Sequence, residues 1–171
     1  MSLDNIAASV QLAATLNNAT LDLGVVASAP LSVPTSLSMS TGTGAGQADK
    51  IFADTRTIAA SSNDDLDLAG VLVDALGVTI SLARVKVLLV RAAATNTNTL
   101  IMGGGASNPV TTILGGTTPT LTIRPGGVFF LAATEATAYA VTAATADILR
   151  FTNGGAGSSV TYDIVIIGSS A

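Results

Sequence analysis

The chain has 171 residues, no cysteine, no histidine and a net charge of -4. That length allows one sizeable core with an attached segment, and the missing residue types exclude disulfides, thiolate or imidazole metal sites, and Ser-His-Asp or Cys-His catalysis. Five arginines and two lysines lie scattered without a basic patch, so nucleic-acid binding has nothing to rest on.

Charged residues make up 11% of the chain, against about 25% in an ordinary soluble domain, while the mean hydropathy is +0.61. Alanine supplies much of that hydropathy, and uncharged Thr and Ser supply the polar surface, which suits strands and turns. A surface poor in charge is also what a permanently assembled subunit presents to its neighbours. Self-association is therefore expected. No apolar run approaches the ~20 residues of a membrane span, and residues 1–16 lack the basic leader of a signal peptide. The expectation is a soluble chain that is not secreted by the Sec route and not bound to a membrane.

In residues 1–34, Val10, Leu12, Ala14 and Leu16 alternate as in a strand, yet Ile6, Val10, Ala13 and Leu16 also fit one helical face with Asp4 as N-cap. The period leaves both open. Asn17-Asn18 suggests a turn, and Pro30 and Pro34 favour an extended, poorly paired segment. These residues read as an arm, with Ile6, Val10, Leu12 and Leu16 as candidate partner contacts.

From Ser36 the β pattern is regular. Leu37 and Met39 alternate with serines, a glycine-rich turn spans Thr41–Gly46, and Lys50–Ile58 and Asp65–Leu68 read as strands. The stretch from Asp64 to Arg91 breaks at Gly70 and Gly77 and resumes as a β-branched and leucine run, Val78–Val90. Alternation puts Val85, Val87 and Leu89 on one face, the expected core side, and Arg84, Lys86, Leu88 and Val90 on the other. Apolar residues on both faces predict a central strand. Further short strands are expected at Thr99–Met102, Thr111–Leu114, Leu121–Arg124, Val128–Ala132, Tyr139–Thr142, Ile148–Thr152 and Val160–Ile167, with turns at Gly103–Gly105, Gly115-Gly116 and Pro125–Gly127. About ten short strands and no long helix predict an all-β chain: an antiparallel β-sandwich, jelly-roll-like, over residues 35–171, with the N-terminal arm at 1–34.

Few groups are placed for chemistry. Asn63, Asp64, Asp65 and Asp67 bring oxygen ligands close together, but the EF-hand spacing and its terminal Glu are missing, so a solvated turn entering a strand is preferred to a calcium site. Glu135, Asp147 and Asp163 are acids of the kind a glycosidase pairs across a cleft, with nothing in the sequence to make any two converge. Lys86 would be a nucleophile only if buried and neutral; a strand lysine more often sends its head to solvent. The glycine runs lack the Lys-Ser/Thr of a phosphate loop and the dinucleotide fingerprint. No catalytic residue, cofactor or metal is assigned, and the chain reads as a non-enzyme.

Five runs resemble small virion proteins of tailed bacteriophages: Gln47–Lys50, Asp54–Thr57, Asp65–Gly70, Arg124–Gly127 and Val160–Ile164. The likeness covers roughly residues 44–171 and omits the arm. It implies a capsid decoration, or cement, protein on the phage head. Such proteins are commonly sandwich or jelly-roll homotrimers that bind the major capsid protein and stabilise contacts between its subunits. A head fibre or tail adhesin binding host glycans is the alternative, and a tail-tube subunit a more distant one.

Overall fold

The computed structural model describes residues 3–18, 27–105 and 107–171. In chain order the strands are β1 (Ile6–Asn18), β2 (Ala27–Thr41), β3 (Gln47–Ala48), β4 (Lys50–Ile58), β5 (Asn63–Asp67), β6 (Leu72–Val73) and β7 (Thr79–Ile80), followed by β8 (Arg84–Ala92), β9 (Leu100–Gly103), β10 (Thr120–Ile123), β11 (Val128–Ala132), β12 (Tyr139–Ala140), β13 (Ile148–Asn153) and β14 (Val160–Ser169). The chain is all-β, with several antiparallel sheets in a sandwich-like arrangement. One sheet runs β11-β8-β14-β4, with β12 also paired to β8, and the other runs β10-β9-β13-β5. The alternating apolar residues of both sheets meet between them: Leu88, Val90, Ile164 and Ile166 from one, and Leu66, Leu100, Met102 and Phe151 from the other, form one buried cluster. The expected strands Lys50–Ile58 and Val128–Ala132 have those bounds in the structure.

β8 lies inside its sheet, between β14 and β11, but it differs from expectation in extent and facing. Strand pairing begins at Arg84, because Thr79-Ile80 belongs to a separate two-stranded pairing with Leu72-Val73. The register against β14 then slips: Ile167 lies opposite Val87 and Gly168 opposite Val85, which leaves Lys86 as the extra residue of a bulge. A bulge resets which alternate residues face inward. Val85, Leu88, Val90 and Ala92 therefore enter the main core, whereas Val87 turns to the outer side and packs with Ile6, Met39 and Ala48. Leu89 also faces outward, half-buried. The expected core trio of Val85, Val87 and Leu89 is thus split by one inserted residue. Gly168 permits the close approach at this point, since a Cβ there would sit 2.1 Å from the Arg84 carbonyl oxygen.

Thr111–Leu114 forms no strand. The Gly115 amide donates to the Thr111 carbonyl at 2.8 Å, closing a turn that lays Ile113 and Leu114 against the core. Over four residues, apolar content cannot separate a turn packed on a core from a strand. The Pro125–Gly127 turn is present. Gly127 N donates to Arg124 O at 2.8 Å with Gly126 at φ 75°, the left-handed position that a type II turn requires of its third residue.

The N-terminal segment is strand, not helix. β1 and β2 pair antiparallel in one unbroken register from Ile6↔Met39 to Asn18↔Ala27, so Asn17 and Asn18 lie in the strand rather than in a turn. Residues 19–26, which include Leu21–Gly24, lie outside the described residues. β2 passes through position 34 without interruption. The prolines are tolerated because of parity. Backbone N–H directions alternate along a strand, and Ser40 N donates to Gly46 O at 3.0 Å on the side away from β1. The even-numbered residues of β2 therefore aim their nitrogens at the outer edge, where the missing N–H of Pro30 and Pro34 costs no ladder bond.

Candidate functional site

The most distinctive surface is the ribbon formed by β1 and β2. Its 13-residue strand β1 spans about 40 Å at ~3.3 Å per residue. Directly opposed residues share a face, so the register sorts every side chain. On one face, Ala8 lies opposite Leu37, Leu12 opposite Val33, Ala14 opposite Leu31 and Leu16 opposite Ala29; on the other, Ser9 faces Ser36, Gln11 faces Pro34 and Thr15 faces Pro30. One face is apolar and the other polar. At the root, Ile6 and Met39 continue the apolar face onto the outer side of the five-stranded sheet, where they pack with Val87, Ile167 and Phe130. Beyond the root that cover ends: Leu12 is 63% exposed and Leu16 76%.

Of the four candidate contacts, Ile6 is thus buried within the chain at 5% exposure, while Val10, Leu12 and Leu16 stand in the open on one face. Leu31 and Val33 belong with them. Their signal in the sequence was the alternation of Ala29, Leu31 and Val33 with Ser28, Pro30, Ser32 and Pro34, a two-residue period that the prolines obscured.

A second apolar corner lies at β6 and β7. The Asp74 carboxylate accepts from the amides of Leu76 and Val78, both at 2.9 Å, and Gly77 N donates to Asp74 O at 3.0 Å, which fixes a tight turn. That turn holds Leu76 in the open, above a cleft of about 330 Å³ that Leu3, Ile51 and Val78 help to line. The glycines at 70 and 77 marked the breaks on either side of this corner but not its exposure.

The acids expected near residue 64 are engaged one by one. Asp64 accepts from Arg56 Nε at 2.5 Å and Nη2 at 2.8 Å, and from the Tyr162 hydroxyl at 2.8 Å. β4 and β5 are the edge strands of the two sheets, so this group closes the sandwich along one side. Burial would raise the Asp64 carboxyl, but hydrogen bonds from Arg56 and Tyr162 outweigh it and hold the group below the ordinary carboxylate value. Burial and the adjoining carboxylate push the Tyr162 phenol far above its ordinary value. Asp65 takes two bonds from Arg150, both 2.6 Å, and Asp67 accepts from the Ala69 amide at 3.0 Å. Among the described residues no three acidic groups gather as a metal site would require.

Lys86 does not send its head to solvent. It is fully buried, and its ammonium donates to the carbonyls of Ala136 at 3.2 Å, Gly44 at 3.4 Å and Glu135. Burial, with help from Arg84, lowers its pKa. Three carbonyl acceptors favour the charged form, so the group is placed as a tie between the bulge and two loops rather than as a nucleophile. The three other acids do not form a pair across a cleft. Asp163 sits on the outer face of the five-stranded sheet, bonded to Arg91 and Thr55; Asp147 is buried beside β13 in the other sheet; Glu135 lies exposed in the loop after β11.

No protein-family model, curated protein or solved structure matches this chain.

Proposed function

We propose that this chain is a non-enzymatic structural protein of a phage particle: a decoration protein that binds the outside of the head through the major capsid protein and holds neighbouring capsid subunits together. The observation that carries the reading is the ribbon, an amphipathic element whose apolar face beyond its root has no cover among the described residues. Isolated two-stranded ribbons are marginal in water, and apolar side chains left in water forgo about 1.5 to 3 kcal/mol each relative to full burial, so such an element belongs in an assembly. The runs that resemble phage virion proteins add support. Asp54–Thr57, Asp65–Gly70 and Val160–Ile164 fall at or beside the edge closed by Arg56, Asp64 and Tyr162, where they maintain the sandwich rather than form a site. The jelly-roll connectivity and the homo-oligomer expected of that class belong to the proposal. Attachment through several copies at once would multiply a weak single-site affinity.

The test is the copy number of the protein relative to the major capsid protein on a stained gel of purified particles, beside a variant whose residues 9–36 are replaced by a short turn. A decoration protein is present in numbers comparable to the capsomers, and the excised variant folds but is depleted from particles. A few copies per particle would favour the fibre or adhesin role. Absence from heads would overturn the reading.

A further inference from the structure

We infer that the occupant of the ribbon's apolar face is the same face of a second copy of this chain, packed sheet on sheet. This deepens the assembly reading by naming the arm's partner, and it can fail while that reading stands.

Charge is the first argument. Among the described residues of β1 and β2 there is no ionisable side chain, so the ribbon offers nothing to recognise a charged partner and nothing to repel its own copy. Size is the second. Val10, Leu12, Leu16, Leu31 and Val33, all 45% exposed or more, present with their smaller neighbours on the order of 600 Å² of apolar surface, close to the ~800 Å² that each partner brings to a standard interface. A single exposed patch of that size on a lone chain marks an interaction site.

Shape is the third. Three rungs set one large residue beside one small, Leu37 against Ala8, Leu31 against Ala14 and Leu16 against Ala29, while Val10 against Thr35 and Leu12 against Val33 form a fuller ridge between the first of these and the second. The large member changes strand along the ribbon. Such a face carries both knobs and hollows, which is what two sheet faces need to interdigitate at ~10 Å separation. The outer edge of β2 carries Pro30 and Pro34 with their nitrogens facing outward, which blunts strand addition there and leaves the face and the outer edge of β1 as the available surfaces, of which only the face is apolar.

The experiment is analytical ultracentrifugation of the purified full-length protein, without particles, at micromolar concentration. The wild type is expected above its monomer mass of 16.8 kDa. Leu12→Asp places a charge at the centre of the seam and is expected to weaken association roughly 100-fold or more, while the variant still folds and melts cooperatively by circular dichroism because Leu12 is exposed in the single chain. Gln11→Asp puts the same charge on the polar face and leaves association as it was. Ala13→Pro removes an outward-facing amide from the β1 edge without altering the apolar face, and association persists. A monomeric wild type would overturn the inference, as would Leu12→Asp that associates normally. Association lost in Ala13→Pro and kept in Leu12→Asp would show edge pairing instead. A monomeric wild type that still coats particles, with Leu12→Asp lost from them, would place the capsid on this face and leave the decoration role intact.

Discussion

Arg56 on the edge strand of one sheet grips Asp64 on the edge strand of the other through two hydrogen bonds of 2.5 and 2.8 Å. The Tyr162 hydroxyl, from the neighbouring strand β14, donates to the same carboxylate at 2.8 Å, and its ring packs against Phe151 at a tilt of 32° with centroids 4.7 Å apart. A polar clamp thus sits on the rim of an apolar core. Tyr162 is fully buried and Arg56 and Asp64 are only partly exposed, so losing one leaves the others short of partners.

Tyr162→Phe keeps the ring and removes the hydroxyl, and about 1 to 2 kcal/mol of stability is expected to go with that bond to a charged acceptor. Arg56→Ala leaves Asp64 largely without its cation and costs about 1 to 3 kcal/mol. Because the two share one carboxylate, urea melts of the double variant are expected to depart from additivity by about 0.5 kcal/mol or more. Strict additivity would mean that the clamp does not act as a unit.

The same clamp sets a pH window. The folded Asp64 carboxyl lies below its ordinary 3.8, so protonation favours the unfolded chain; the contribution is complete above about pH 4 and is lost as pH falls through the folded value. The folded Tyr162 phenol lies above its ordinary 10.0. It stays protonated where the unfolded chain's tyrosine ionises, so its contribution holds below pH 10 and declines above. Melting midpoints of the wild type should fall at both ends, and Tyr162→Phe should flatten the alkaline limb. An unchanged alkaline limb would show that another group controls it.

Lys86→Met keeps the length of the side chain and removes its three hydrogen bonds. The carbonyls of Gly44, Glu135 and Ala136 then lose a buried donor, a cost of about 1 to 3 kcal/mol that outweighs the relief of no longer burying a charge. Hydrogen exchange should quicken at the Gly46 amide, which bonds Thr134 O at 2.6 Å between the two loops that Lys86 ties together. A nucleophilic role would instead appear as reaction of the wild-type lysine with amine-directed reagents near neutral pH, which this caging forbids.

Most strands and turns of the sandwich were legible in the sequence because they rest on local chemistry: apolar alternation at Val160–Ile167, and Pro-Gly at the turn before Val128. What alternation cannot supply is which of two faces is the inner one, since that depends on the partner strand. One bulged residue, Lys86, turned Val87 and Leu89 outward, and only the register against β14 reveals it. The same limit applied to Pro30 and Pro34. A proline blocks pairing on one side of a strand alone, so its effect depends on whether that side meets a neighbour or open water, and the neighbour of β2 on the other side is β1, some twenty residues back along the chain. Asp64, Arg56 and Tyr162 likewise read singly as a turn acid, a surface cation and a strand aromatic. They become one clamp because β4, β5 and β14 are brought together by hydrophobic burial, and the sequence separations that burial spans carry no local trace.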